Sequence, residues 1–466
     1  MRDIPLYIIM EGIVFKLQGE NEMLDKFLGI NEKLILIDNY LYPKALKVHC
    51  NERVDLIPMN STGILILSLC DGMHTEAEII DVVSEHYKIS KTEIQKDVEG
   101  FIEKQICNDN IREFATAQKL CVDKRGREDI ILPYQLALEL TNDCQLRCKH
   151  CYNEAGMKRK GELDSAEIID IMRQFRELGG TSLLLTGGEV FLKKGIEDIL
   201  EFAYSNFFRI VIMSNGYTIS EKILQILAKS KDKIALQISV DGMKENHDNM
   251  RGVDGAFERT MANIKRLISK GISVGIGFTL TDKNEQDLNA IVKYAKELGC
   301  SSVNIGAVSK IGRAVYNDIS ADNISKRYET LLDEVRSLYE DEEFKVGRSA
   351  EDIEYEKKEP INKFPNMCGA GYKILHIFAD GRIGVCPSSS GVSSKINIGN
   401  LKITPLKEVL EVSHMKFILS IPSPSKDICG ECIYYDECGR CIVKMLQRSK
   451  EECNIVRRLY EQKIIN

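Results

Sequence analysis

Apolar and polar positions fall into three successive regimes along this chain. Over residues 1 to about 115, extended apolar runs come first, at Leu6–Lys16, Lys33–Ile37, Ala45–His49 and Val54–Ile57. Three helical patterns follow. Asn60-Ser61-Thr62 caps the first, Gly63–Cys70, which Asp71-Gly72 stops. Thr75 and Glu78 stand at capping-box spacing before a second, with Ile79, Ile80, Val83 and Tyr87 on one face. Ser90 and Glu93 open a third, with Ile94, Val98, Phe101 and Ile102 inward. Strands followed by three short helices predict a small winged-helix-like module, joined by a linker over 116–132 to the next region.

From 133 to 345 short apolar strands alternate with amphipathic helices. The strands are Leu136–Leu140, Ser182–Leu185, Arg209–Met213, Ile234–Val240, Ser273–Leu280 and Ser302–Ala307. The helices between them are Asp164–Leu178, Lys193–Tyr204, Ser220–Ala228, Ala256–Lys270 and Glu285–Leu298. Six strand-then-helix repeats predict an α/β fold with a parallel sheet and functional loops at the strand C-termini. Periodicity does not say whether that sheet closes. Residues 346–466 form a third, cysteine-rich region.

Length and composition fit this division. A chain of 466 residues suggests about three domains. With 44% hydrophobic and 29% charged residues it has the make-up of a globular protein with a full core. The longest apolar runs, such as Ile64–Leu69, are far too short for a bilayer, and Met1-Arg2-Asp3-Ile4-Pro5 lacks a signal-peptide layout. A cytoplasmic protein with no membrane partner is expected. The net charge of −7 argues against nucleic acid as a partner. Fifteen cysteines in a reducing compartment point to metal or iron–sulfur chemistry rather than disulfides. Ten have ligand-like spacing; Cys50, Cys70, Cys107, Cys121 and Cys300 lie in apolar surroundings and read as packed thiols.

The chemistry centres on Thr141–Tyr152, directly after the first strand of the middle region, where Cys144, Cys148 and Cys151 fall within eight residues. A [4Fe–4S] cubane normally takes four thiolates. Three alone would leave one iron open to a substrate's nitrogen and oxygen, as an open zinc site keeps a catalytic position. Half of a zinc site is the alternative. Asn153, not His, follows at the second position after Cys151, so the haem-attachment pattern is absent. Later strand ends carry Thr186-Gly187-Gly188-Glu189, then Ser214-Asn215-Gly216, then Ser239-Val240-Asp241-Gly242 with Arg251 beyond. Glycine pairs let backbone approach a ligand closely, and the polar groups suit a charged one. In the third region, Cys429, Cys432, Cys438 and Cys441 could form zinc knuckles, with Cys368 and Cys386 another partial site; zinc and iron–sulfur are both compatible.

The spacing Cys-x3-Cys-x2-Cys followed by Tyr152 resembles the radical S-adenosylmethionine (SAM) enzymes. That resemblance implies an open partial (β/α)6 TIM-like barrel. It also implies a cluster whose open iron is chelated by SAM, and cleavage of SAM to a hydrogen-abstracting 5′-deoxyadenosyl radical. Gly187, Gly188 and Glu189 match the motif holding the SAM amino group; Ser214, Asn215, Ser239, Asp241 and Arg251 match its ribose and carboxylate contacts. Gly275-Ile276-Gly277 would lie against adenine. The run Asn60–Gly63, Leu69–Thr75, Glu78–Ile80 resembles the PqqD-like leader-recognition domain of peptide-maturing enzymes, where a precursor's leader adds a strand to a sheet edge. The C-terminal cysteines resemble the SPASM extension with two auxiliary [4Fe–4S] clusters, three clusters in all. By that pattern Cys368, Cys386 and Cys441 hold the first, and Cys429, Cys432, Cys438 and Cys453 the second.

Taken together the chain is similar to the sactipeptide maturases, radical SAM/SPASM enzymes that link a cysteine sulfur of a ribosomal peptide to a carbon of another residue. A precursor peptide and an electron donor such as flavodoxin or ferredoxin are the implied partners. Other radical SAM peptide modifications, and a zinc-stabilised peptide-binding protein, are the alternatives. No general base is identified; Tyr152, His247, Lys310 and Arg313 are candidates, each with a structural or solvated reading beside it. The first auxiliary set has three thiolates; either one iron stays free for a peptide thiol, or Asp380 or an isolated cysteine completes it.

Overall fold

The computed structural model describes residues 7–10, 13–16, 26–40, 43–49, 54–324, 327–347, 369–392, 395–438 and 441–465. The chain divides into two compact units, Met1–Asp38 with Tyr42–Arg125, and Asn39–Leu41 with Gly126–Asn466.

In the first unit the strands are β1 (Tyr7–Met10), β2 (Ile13–Lys16), β3 (Phe27–Ile30), β4 (Leu34–Asn39), β5 (Lys44–Val48) and β6 (Val54–Pro58), then β7 (Asp71–Thr75) and β8 (Ile111–Phe114), with β9 (Asp123–Arg127) at its end. Helices α1 (Ser61–Leu69), α2 (Glu76–Tyr87) and α3 (Lys91–Cys107) start where the capping residues put them. The Asn60 side chain accepts from the Gly63 amide at 2.7 Å. Glu78 accepts from the Thr75 amide at 2.8 Å, and Glu93 from the Ser90 amide at 3.2 Å, so both capping boxes form. Their apolar faces meet in a core of Leu28, Ile64, Leu67, Ile79, Val98 and Ile102. Burying side chains of this kind contributes roughly 1.5–3 kcal/mol each. Asp71-Gly72 ends α1 as expected, yet it also begins β7, which pairs antiparallel with β3.

The second unit is built on a nine-stranded sheet. Its central strands are β10 (Gln135–Glu139), β11 (Ser182–Thr186), β12 (Arg209–Ser214), β13 (Ile234–Ser239), β14 (Ser273–Leu280) and β15 (Ser302–Ala307). Each is hydrogen-bonded in parallel to the next, in chain order. A short strand at Lys345–Val346 extends one side, and Ile374–Ile377 pairs in parallel with β10 on the other. This is the α/β partial-barrel architecture. The helices are α4 (Ser165–Glu177), α5 (Ile196–Asn206), α6 (Glu221–Lys229), α7 (Lys244–Arg251), α8 (Ala256–Ser269) and α9 (Leu288–Leu298), then α10 (Arg313–Tyr316) and α11 (Tyr328–Tyr339). Their apolar stripes face the sheet, as in α6 through Ile223, Leu224 and Leu227. All six central strands deliver their C-terminal loops to one end.

Among the described residues no helix is long and apolar enough to cross a membrane. Cys70 and Cys300 are buried as read, and burial pushes both thiols up to about 12. Cys107 and Cys121 are exposed, a correction to the packed-thiol reading, and Cys50 lies outside the described residues.

Candidate functional site

The loop after β10 is built by hydrogen bonds to its backbone from three sides. The Thr141 hydroxyl and Asn142 amide donate to the Glu162 carboxylate at 2.8 and 2.7 Å. The Gly188 and Glu189 amides donate to the carbonyls of Thr141 and Asp143 at 2.7 and 2.8 Å. Arg313 reaches from α10 to the carbonyls of Cys148 and Ala155, both at 2.8 Å. Gly187 and Gly188 are glycines because of this packing. A Cβ on Gly188 would stand 2.3 Å from the Asp143 oxygen, and one on Gly187, at φ +140°, 2.4 Å from the Thr141 oxygen.

That loop brings Cys144, Cys148 and Cys151 onto the wall of one cavity of about 350 Å³. The same cavity is lined by Gly187, Gly188, Ser214, Asn215, Ser239 and Arg251, from the ends of β11, β12 and β13 and from α7. Each thiol faces an N–H donor. Asn215 Nδ2 is 3.6 Å from Cys144 Sγ, Arg251 Nη1 is 3.6 Å from Cys148 Sγ, and the Ala155 amide is 3.4 Å from Cys151 Sγ. Burial pushes the Cys144 thiol up to about 11 and raises that of Cys148, against which the Arg251 guanidinium works.

Glu189 and Asp241 stand behind the wall. The buried Glu189 carboxylate accepts from the Ser214 hydroxyl at 2.8 Å and the Asn215 amide at 2.9 Å, fixing that turn. Burial pushes its carboxyl up to about 7, with those hydrogen bonds opposing. Asp241, fully buried, pairs with Arg251 at 2.7 Å and lies 3.4 Å from His150. Burial opposes its ionisation, yet Arg251 and the two nearby histidines hold its carboxyl below the usual range. His247 Nδ1 accepts from the Asp241 amide at 3.2 Å, and burial pushes that imidazole down to about 4.

The other sequence candidates fall elsewhere. Tyr152 and Arg313 line the cavity, and burial raises the Tyr152 hydroxyl pKa, with Glu139 adding to it. Lys310 is exposed and paired with Asp322. Gly275 and Gly277 do not line the cavity: a Cβ there would meet Ser302 Oγ at 2.5 Å and Gln237 Nε2 at 2.8 Å, so strand packing accounts for both. Thr279 and residues 306–309, at the ends of β14 and β15, line it in their place. Ser388 also lines it, two residues past Cys386; its only sequence signal was that closeness. A buried pair escaped notice too, Glu139 on β10 and His376 on the neighbouring strand, 3.0 Å apart.

In the C-terminal region, Cys432 donates its amide to the Cys429 carbonyl at 3.0 Å, and Cys441 to that of Cys438 at 2.9 Å. Burial, with Cys453 and Cys432 nearby, raises the Cys438 thiol against Arg448. Cys368 lies outside the described residues. Asp380 is tied to Arg382 at 2.9 Å. Among the described residues, no three His, Cys, Asp or Glu side chains converge on the point a single metal ion would occupy.

Residues 138–295 match the radical SAM superfamily, and residues 51–105 match the PqqD family, described as coenzyme PQQ synthesis protein D. The chain carries a radical SAM domain with a PqqD-like domain ahead of it in the sequence. It is 29% identical, over 66% of its length and 69% of the relative's, to the sporulation killing factor maturation protein SkfB of Bacillus subtilis strain 168. It is 24% identical, over 85% of its length and 86% of the relative's, to the antilisterial bacteriocin subtilosin biosynthesis protein AlbA of the same strain. In fold it is similar to Streptococcus suis SuiB bound to precursor peptide SuiA, with TM-score 0.65, 17% identity, and 91% and 98% of the two chains covered.

The family implies SAM and a [4Fe–4S] cluster. The cavity fits both: three thiols with N–H donors at each sulfur suit an anionic cluster, and polar groups on adjoining strand ends suit a charged ligand.

Proposed function

We propose that this enzyme matures a ribosomally made peptide by joining a cysteine sulfur to a carbon of another residue. The observation that carries this reading is the cavity of three thiols at the strand ends, in a chain that also holds a PqqD-like domain. The relatives SkfB and AlbA support it by what their names say of peptide maturation and bacteriocin biosynthesis.

In this reading Cys144, Cys148 and Cys151 hold the SAM-binding cluster and leave one iron without a protein ligand. The backbone at Gly187 and Gly188, with Ser214, Asn215, Ser239 and Arg251, meets SAM. Glu189 and Asp241 act through others: the first fixes the Ser214–Asn215 turn, the second holds Arg251 in place. When bound, SAM and its cluster supply the hydrogen-atom abstraction that opens an unactivated C–H bond. The loop of Cys144–Cys151, tied from three sides, holds the site in one geometry, which is where much catalytic advantage arises.

Residues Cys386, Cys441 and Cys368 would hold a first auxiliary cluster, and Cys429, Cys432, Cys438 and Cys453 a second. Ser388 on the cavity wall supports placing the first near the peptide, where it could take up the electron released as the carbon–sulfur bond forms. The domain plan is a leader-binding N-terminal region, the barrel, and the cysteine-rich extension. A flavodoxin- or ferredoxin-type donor and a cytoplasmic setting complete the reading.

The test is mass spectrometry of a precursor peptide co-expressed with the enzyme. The expected product is lighter by two hydrogens per bond, and its cysteines resist alkylation even after reduction. A product of that mass whose cysteines alkylate fully would overturn the thioether reading.

A further inference from the structure

Glu139 and His376 meet inside the sheet, and the chemistry above gives neither a task. Both side chains are fully buried, with Glu139 Oε1 3.0 Å from His376 Nε2. Among the described residues neither Glu139 Oε2 nor His376 Nδ1 has a hydrogen-bond partner. Burying polar groups without a full set of partners is costly. Apolar residues of similar volume often hold a fold as well as such a pair does. Nor do the two strands need the pair in order to associate. The Ile374–Ile377 strand is joined to β10 by its backbone, with Ala137 opposite His376 and Leu138 opposite Ile377. Just before it, the Tyr134 and Gln135 amides donate to the carbonyls of Tyr372 and Lys373 at 3.1 and 2.9 Å.

What a buried polar pair adds is register. A slip of one residue would carry His376 to the opposite face of the sheet, away from Glu139. The register matters for what lies on either side. On β10, Glu139 is opposite the cavity-lining Thr186, and the cysteine loop begins two residues later. On the far side, His376 is opposite Gly384 in an antiparallel pair, and Cys386 comes two residues after that glycine. The turn beyond Cys386 folds back over Gly384. Ser389 Oγ donates to the Cys386 carbonyl at 2.6 Å, and a Cβ on Gly384 would stand 2.4 Å from that Oγ. Ser388, in the same turn, lines the cavity. Glu139 and His376 therefore stand between the strand that delivers the cysteine loop and the turn that carries Cys386.

We propose that Glu139 and His376 are positioning residues, whose contact fixes the turn of Cys386 and Ser388 against the cavity. This deepens the proposed function and rests on its assignment of Cys386 to the first auxiliary cluster. Neither residue touches the peptide; both act through the turn. The loop of Cys144–Cys151 is held separately, by Glu162, the Gly188 amide and Arg313. Loss of the pair thus falls on carbon–sulfur bond formation and spares SAM cleavage.

The test uses full-length, reconstituted enzyme. E139L/H376L replaces the pair by apolar side chains, whereas E139Q keeps an oxygen that can accept from His376 Nε2. Two quantities are read: thioether bonds formed in the precursor per 5′-deoxyadenosine, and amide hydrogen exchange over residues 374–389. In E139L/H376L the bonds per 5′-deoxyadenosine should fall about tenfold or more, while 5′-deoxyadenosine formed without peptide stays within about twofold of wild type. Exchange over 374–389 should quicken about tenfold in the same variant. E139Q should stay within about threefold of wild type in both, since the hydrogen bond is kept. Wild-type coupling or unchanged exchange in the double variant would overturn the proposal. So would an equal loss of peptide-independent 5′-deoxyadenosine, which places the effect in the cavity, or an E139Q variant as impaired as the double one. Wild-type enzyme that forms 5′-deoxyadenosine but no thioether would instead sink the thioether reading, and the exchange comparison would still decide whether the pair holds the turn.

Discussion

Asp241 and Arg251 show what single residues carry here. The carboxylate is fully buried, so its pairing with Arg251 is the condition for both staying charged. Asp241→Asn leaves a buried guanidinium uncompensated and should cost about 3–5 kcal/mol in denaturant unfolding. A loss under about 1 kcal/mol would mean the pair does not hold Arg251. His247 gives a pH dependence. Its folded pKa of about 4 lies below the usual 6.5, so between those values the unfolded chain binds a proton that the folded one refuses. Its contribution is therefore full above pH 6.5 and is lost as pH falls towards 4, at most about 3 kcal/mol. Asp241 acts in the same direction at lower pH. Glu189, raised from 4.5 to about 7, acts oppositely, because the folded state keeps its proton as pH rises. The difference between wild type and His247→Asn isolates the histidine, and should shrink steadily from pH 6.5 to 4. A constant difference would show that His247 binds its proton in the fold as readily as in the unfolded chain.

Elements differ in how openly the sequence announces them. The capping boxes at Thr75/Glu78, Ser90/Glu93 and Asp164/Glu167 all formed, because cap chemistry is local. Strand β11 was legible as an apolar run because both its faces are covered, as the unbroken burial of Ser182–Thr186 shows, whereas β12 and β13 alternate buried with half-buried positions. Strand β7 was not, since Asp71-Gly72 reads as a stop and becomes a strand only by pairing with β3. Helix α7, Lys-Glu-Asn-His-Asp-Asn-Met-Arg, has no apolar stripe at all. It is held through buried Met250 and through buried His247 and Arg251, polar groups that only a finished site can satisfy. The motif glycines were found but for another use, loop packing, which needs the neighbouring carbonyls to be seen. Gly188→Ala should therefore displace the cysteine loop and lower 5′-deoxyadenosine formation at least tenfold, a misplacement effect. Normal activity in that variant would mean the loop adapts.

At the scale of the molecule, one unit contains the PqqD match and the other the cavity. If the first serves only to bind a leader, removing residues 1–125 should stop modification of the full precursor while peptide-independent SAM cleavage persists. Modification at the normal rate by the truncated enzyme would rule that division out. The central claim is that Cys144, Cys148 and Cys151 together make the site where SAM is cleaved. The direct measurement is 5′-deoxyadenosine formed by reconstituted, dithionite-reduced enzyme, with iron content determined on the same samples. The wild type should form it, whereas C144A/C148A/C151A should form none while keeping the iron bound by the C-terminal cysteines. Wild-type yields of 5′-deoxyadenosine from the triple variant would contradict the account.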